Sequence, residues 1–352
     1  MSDIKYVAFD VHKATISAAV LNLEGKLLTQ TLMRTDATAI RDFLRGLSGT
    51  LHLTFEEGTL SQWLFDLARP LVNDLLVCNA KHSSSVSNKS DRADALRLAQ
   101  YLRAGLLKGV YHGSAPTQTL KQLAHIYDSI TTDATRTMNR LKSLYTSLGV
   151  ACSGRDVYYS RNRRLWLEKL TEEGHRLRAE FLYRQLDHLR PLKQDARKSL
   201  LKEARRHPAF KQLQMVPGLG PVRVAELISA VGSPQRFRTK RQFWKYCGLA
   251  VVTRSSSDYE VVEEGLRRKA NNTQTRGLNR EYSRRLKRVF KSAALEALKA
   301  ESVKKIYQRL TSKGIRPEMA RLTIARKLAA VALAMWKSGE EFDDKKLTRQ
   351  AA

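Results

Sequence analysis

The stretch that most constrains the fold is residues 6–31, YVAFDVHKATISAAVLNLEGKLLTQT, because it sets one carboxylate, Asp10, at the end of an apolar run. From Tyr6 to Phe9 the side chains alternate, Val7 and Phe9 against Ala8, which is the period of a strand, and the run breaks at Asp10 before the polar His12 and Lys13. Ile16 to Leu23 is a second apolar run ending in Asn22-Leu23-Glu24-Gly25, a turn signature, and Lys26 to Leu32 resumes a strand pattern. The expected order is strand, strand, tight turn, strand, with an acid on the first. Asp is also a common turn former, so Asp10 on its own would serve equally well to end a strand.

Composition narrows the partners. At 352 residues the chain is long enough for two domains, each with its own core. Its net charge of +29 is not needed for folding and repels itself, so it points to a polyanion: nucleic acid first, a membrane surface second. The apolar run from Leu328 to Trp336 is too short to span a bilayer and is flanked by Arg326-Lys327 and Lys337. No basic segment followed by an apolar core opens the chain, so no signal peptide is expected. Cys78, Cys152 and Cys247 lie far apart without a CxxC pair, which argues against a zinc module or disulfide framework and for a reducing, cytoplasmic setting.

Further along, residues 37–47 read as an amphipathic helix with Ile40, Phe43, Leu44 and Leu47 on one face, and Leu51 to Phe55 as a strand running into Glu56-Glu57-Gly58-Thr59. A helical pattern over 60–73, an apolar strand from Leu75 to Cys78 and a Ser-rich loop over 81–90 follow. Asp91 and Asp94 then stand three apart at the start of a helix carrying Leu96, Leu98, Ala99 and Leu102, so both project from one face. Such a pair also suits the positive end of a helix dipole. Taken together, Asp10, a Glu at 56–57, Asp91 and Asp94 can form an acidic tetrad if the strands lie side by side with the helix across their ends. Magnesium takes oxygen ligands, and phosphoryl transfer uses carboxylate-held Mg²⁺ to neutralise charge on the attacking and leaving oxygens.

Residues 114–209 carry Leu120, Leu123, Ile126, Tyr127, Ile130, Met138, Leu141, Leu144, Tyr145 and Leu148 at helical spacing and predict long helices in a coiled-coil-like arrangement, either a spacer or dimerisation arm or a contact for RNA. From Phe210, FKQLQMVPGLGPVRVAELISAVGSPQRF has the form of a helix-hairpin-helix. Gly218 and Gly220 sit in its turn, where backbone N–H groups at a helix start can meet a DNA phosphate. Arg254 precedes three serines in a segment that reads as a solvated loop. A dense basic run follows, Arg267-Arg268-Lys269, Arg276, Arg280, Arg284-Arg285, Lys287-Arg288 and Lys291, suited to phosphate contact or to a solvated face.

Three of these stretches resemble the acidic motifs of the DEDD transposases of the one-ten family of bacterial insertion sequences: FDVHK at 9–13, FEEGT at 55–59 and KSDRADA at 89–95. The third motif of that family reads K-T-D-x-x-D-A, and only its Thr is changed, to Ser90. The second, E-A-T-G, falls on Glu57-Gly58-Thr59 with Leu60 in place of the final Gly, and Glu56 is the adjacent alternative. The family's G-L-x-P-x-x-x-x-S-G segment, counted from Gly248-Leu249, puts its nucleophilic serine at Ser256, with Val251 for the Pro and Ser257 for the Gly; Ser255 and Ser257 stay open as alternatives. The segment ARLTIARKLAAVALAMWKSG is similar to the family's closing helix, so the resemblance runs from residue 6 to about 337.

The resemblance implies an α/β ribonuclease-H-like (RuvC-like) domain over 1–113 and a mainly α domain with the helix-hairpin-helix and the serine over 210–338, on either side of the helical coiled-coil region of 114–209; the polar, charged sequence over 339–352 reads as a mobile tail. The resemblance further implies a transposase working near the nucleoid, with Asp10, Glu57, Asp91 and Asp94 holding Mg²⁺ and Ser256 attacking DNA. A structured bridge RNA would choose both DNA partners, and the protein would be a tetramer built from dimers. Two other readings fit the residues: a metal-dependent nuclease or Holliday-junction resolvase without a covalent intermediate, and a non-catalytic nucleic-acid-binding protein.

Overall fold

A computed structural model of the protein describes residues 3–79, 91–112, 117–255, 259–262, 265–268, 273–278 and 281–349. The chain divides into two compact units, Met1–Gly113 and Ser114–Ala352.

The first unit is a five-stranded sheet with helices on both faces. Its strands are β1 (Ile4–Val11), β2 (Thr15–Leu21), β3 (Leu27–Arg34), β4 (Thr50–Glu56) and β5 (Asp74–Cys78), in the order β3-β2-β1-β4-β5. The first three pair antiparallel through short connections, whereas β4 and β5 join parallel to β1, each after a helical crossover. Between β3 and β4 lies α1 (Ala37–Arg45), capped by the Asp36 carboxylate, which accepts from the Ala39 N–H; between β4 and β5 lies α2 (Ser61–Ala68).

Alternation along the strands sorts the side chains. Val7, Phe9, Ile16, Leu53 and Phe55 are buried beneath α1 and α2. The opposite face carries Ala8, Ala19, Leu21 and Cys78 against Ala95, Leu98 and Ala99 of α3 (Asp91–Arg103). Alanines on both surfaces leave no bulk to hold the helix away from the sheet, so α3 lies close across β1 and β2. Replacing the fully buried Leu53 by Ala is expected to cost about 2–5 kcal/mol of this unit's stability, read as a lower thermal midpoint.

The second unit begins with a hairpin of two long helices, α4 (Gln118–Ser147) and α6 (Glu173–Ala204), joined through a tip that contains the short α5 (Arg163–Leu167). The tip has its own cluster, in which Tyr145, Val157, Trp166 and Tyr183 are buried. At the other end Leu120, Ala124, Leu200 and Ala204 enter the main core. That core is built from α7 (Ala209–Gln214), α8 (Pro221–Val231), α9 (Lys240–Tyr246), α10 (Arg284–Ala297), α11 (Glu301–Ser312) and α12 (Pro317–Ser338), with the short α13 (Lys345–Arg349) at the end. α12 is buried around most of its circumference, and even Lys327 is inside, donating from Nζ to the Leu347 carbonyl at 2.6 Å. No described helix is long and apolar enough to cross a membrane.

Between α9 and α10 the chain forms two antiparallel strand pairs. β6 (Val251–Ser255) pairs with β9 (Thr273–Leu278), and β7 (Tyr259–Val262) pairs with β8 (Gly265–Arg268). The sequence reads here as a solvated loop followed by a basic run, within a mainly α domain. The strands TQTRGL and GLRR carry too few apolar residues to produce an alternation visible in sequence, and β9 finds its partner β6 only across the intervening β7–β8 pair.

Candidate functional site

Asp10 sits near the C-terminal end of β1, next to the connection to β2. It is the register partner of Ser17 on β2, just as Ala8 is the partner of Ala19, so Asp10 shares the face that α3 covers. Asp91 is the first residue of α3, and the helix that Ala95 and Ala99 draw onto the sheet brings its carboxylate to the end of β1. Between the two acids stands His12. Its Nε2 is 3.3 Å from Asp10 Oδ2 and 3.4 Å from Asp91 Oδ1, and one ligand atom from each of the three residues lies within 4.8 Å of the others.

The Asp10 side chain is 19% exposed, against 58% for Asp91. Burial holds the Asp10 carboxyl above the usual carboxylate range; His12 pulls it down, and the charges of Asp91 and Asp94 push it up. A half-buried acid whose charge is already costly, with a second acid beside it, is an environment that a divalent cation relieves. Carboxylate oxygens are the ligands a hard divalent ion takes, so these residues fit one. Asp94 lies in the same first turn of α3 but outside this three-residue group, in a salt bridge with Arg97 one turn on.

The two glutamates separate. Glu57 is one residue past β4, its side chain is exposed, and its N–H donates to the Cys78 carbonyl at 2.8 Å. Glu56 ends β4, is paired with Cys78 of β5, and lines a cavity of about 350 Å³ together with His12, Lys13 and Phe55. The sequence pattern marks His12 only as a polar residue after the strand. The available signal was its spacing, since residues two apart across a strand end project to the same side as Asp10.

In the second unit, Gly218 and Gly220 occupy the turn between α7 and α8. Gly218 has φ +78°, and Arg223 closes the turn by donating from Nη1 to the Gly218 carbonyl at 2.9 Å and from Nε to Ser292 Oγ at 3.0 Å. Gly220 is the N-cap of α8 and offers no side-chain cap, so the first turn of α8 opens onto a cavity of about 620 Å³. That cavity is bounded by an internal ion-pair network: Arg288 reaches Glu226 and Asp128 at 2.7 Å each. Part of the basic run therefore ties α10 to α4 and α8. Burial pushes the Glu226 carboxyl up, and Arg288 opposes that shift.

Arg254 lies in β6 opposite Gln274, while Arg267 and Arg268 lie in β8 opposite Glu260 and Tyr259. Ser256 and Lys269 fall outside the described residues; Ser255, the alternative nucleophile, ends β6, and Ser257 is likewise outside.

Two family models match the chain. Residues 7–149 match that of the DEDD transposases of IS110 type, described as "Transposase", and residues 211–308 match one described as "Transposase IS116/IS110/IS902 family". No curated protein matches. The first match holds Asp10, Glu56, Glu57, Asp91 and Asp94, and the second holds the α7–α8 turn and the serine segment. The chain thus belongs to the transposases of IS110-type insertion sequences and is a DNA transposase.

Proposed function

We propose that this transposase cuts and rejoins DNA at the ends of its own insertion sequence through a covalent serine intermediate, with Ser256 as nucleophile and Mg²⁺ held by Asp10, Asp91, Asp94 and the glutamate at the end of β4. The observation that carries the reading is the convergence of Asp10 and Asp91, far apart in sequence, on one point at the end of β1. A mixed sheet in the order β3-β2-β1-β4-β5, with β2 antiparallel to β1 and β4 parallel to it, supports a ribonuclease-H-like, RuvC-like first unit. We assign the second acid to Glu56 in preference to Glu57. Continuing the register from Ala8–Thr54 and Phe9–Phe55 sets Glu56 beside Asp10 on one face, whereas Glu57 lies beyond the strand.

In this reaction the Ser256 Oγ forms a bond to the phosphorus of a DNA phosphodiester as the bond to the departing deoxyribose oxygen breaks. The serine gives up its proton, and the departing oxygen takes one up. Attack by a different strand end reverses the step and frees the serine, so the bond energy is conserved for joining. The cation, when bound, neutralises charge developing on the phosphate oxygens. The α7–α8 turn is read as a helix-hairpin-helix whose Gly220 end approaches a DNA phosphate, and Arg254, Arg267, Arg268 and Lys269 add backbone contacts. A bridge RNA and a tetramer built from dimers complete the proposal; both rest on the family resemblance.

The test is a denaturing gel of full-length protein with labelled element-end DNA, the flanking noncoding RNA and Mg²⁺. A covalent protein–DNA adduct is expected, and Ser256→Ala should remove it. Cleavage that proceeds without any adduct and is indifferent to Ser256→Ala would leave a metal-dependent nuclease or resolvase in its place.

A further inference from the structure

We infer that His12 is a ligand of the cation site, which makes that site a mixed nitrogen–oxygen set suited to a first-row transition ion more than to Mg²⁺. The inference rests on the reading that Asp10 and Asp91 hold a divalent cation, and it adds a residue that the four-acid motif does not include.

Geometry comes first. The 3.3 and 3.4 Å separations from His12 Nε2 to the two carboxylates are long for direct ion pairs, since charge-assisted N–H···O bonds run about 2.7–2.9 Å. They come within a few tenths of an ångström of the roughly 2.8–3.1 Å expected between adjacent ligand atoms that each lie about 2.0–2.2 Å from one octahedral ion. The imidazole reaches its place through the main chain. The His12 N–H donates to the Thr15 carbonyl at 2.9 Å, and the His12 carbonyl accepts from Thr35 Oγ1 at 2.9 Å, so both sides of the residue are pinned at the sheet end.

A second observation is independent of His12. Ser17, the register partner of Asp10, is 1% exposed, and its Oγ has no hydrogen-bond partner among the described residues. Buried hydroxyls are almost always satisfied. An orphaned one on the α3 face beside Asp10 points to a further group on that face, such as water carried by the ion.

The chemistry then selects the ion. Mg²⁺ favours an all-oxygen octahedral shell, whereas imidazole is a good ligand for first-row transition ions. The competing account is that His12 is itself the cation, an imidazolium seated between the two acids, with no part in metal binding.

Mn²⁺ serves as the probe for the full-length protein, with affinity from the free-ion EPR signal and coordination from pulsed EPR, which detects a directly bound ¹⁴N. The wild type is expected to show ¹⁴N modulation and to bind Mn²⁺ more tightly than Mg²⁺ in competition. In His12→Ala and His12→Gln the modulation should vanish and the Mn²⁺ Kd should rise on the order of tenfold or more, with Mg²⁺ affinity nearly unchanged. Mn²⁺ that binds in an Asp10-dependent way without ¹⁴N modulation, or with modulation that survives both His12 variants, overturns the inference and leaves an all-carboxylate site. Absence of Asp10-dependent Mn²⁺ binding overturns it together with the cation reading beneath it.

Discussion

Asp10→Asn is expected to abolish DNA cleavage and joining while making the metal-free protein more stable at neutral pH. A cation at a phosphoryl-transfer site supplies several kcal/mol of charge stabilisation, so losing it corresponds to a rate loss on the order of 10³-fold or more. The stability change has the opposite sign because burial raises the Asp10 pKa in the folded state. Above that pKa the folded protein carries a partly buried charge that the unfolded chain leaves in water, so the ionised carboxylate opposes folding. As pH falls through the folded pKa the penalty is relieved. The Asn variant should therefore melt higher than wild type near pH 7 in EDTA, and the difference should close toward acid pH. Melting curves at several pH values in EDTA, beside a cleavage assay in metal, test both halves. A variant that keeps cutting DNA, or melts lower at neutral pH, would contradict the role given to Asp10.

Gly218→Ala is expected to be the most damaging single substitution in the second unit. At φ +78° a side chain is strained, and a Cβ at this position would stand 2.2 Å from the Ala293 carbonyl oxygen and 2.9 Å from its carbon, on the backbone of α10. The left-handed conformation alone costs about 1–2 kcal/mol. A backbone overlap of that size cannot relax by turning a side chain, so α8 and α10 must move apart, and a total above about 3 kcal/mol is expected. Thermal unfolding and limited proteolysis of the unit would report it. Gly220→Ala is the matched control: its φ is −67°, and an added Cβ would meet nothing within 4 Å. Loss of DNA binding in a folded Gly220→Ala protein would speak for phosphate contact at the start of α8, whereas loss in Gly218→Ala would follow from unfolding alone.

Much of the first unit could be read directly. Apolar runs located β1, β2, β4 and β5 to within a residue or two, the acids at the ends of β1 and β4 were visible where those runs break, and Asp91 and Asp94 were visible by their spacing at the start of a helical pattern. The long helices α4 and α6 were legible because period-3.6 patterns over thirty or so residues leave little room for another reading. The strands β6 to β9 were not legible, since Ser, Thr and Arg at alternate positions look the same in a loop as in a ribbon. The basic run likewise concealed a structural role: Arg288 is held by Glu226 and Asp128, a partnership that spans three helices and leaves no local trace.

The residue types that the chain brings to its chemistry, acids at element ends and a large basic excess, are legible in local periodicity and composition, which are properties of neighbouring residues. Which of them meet depends on long-range packing. The parallel register of β1 with β4 chose the side of the sheet on which Glu56 stands, and the close packing of Ala95 and Ala99 against Ala8 and Ala19 carried Asp91 to the end of β1. The β1–β2 connection set His12 between the two acids. Each of these depends on contacts between segments distant in the chain, and strand register and helix approach are set by how side chains fill the space between elements.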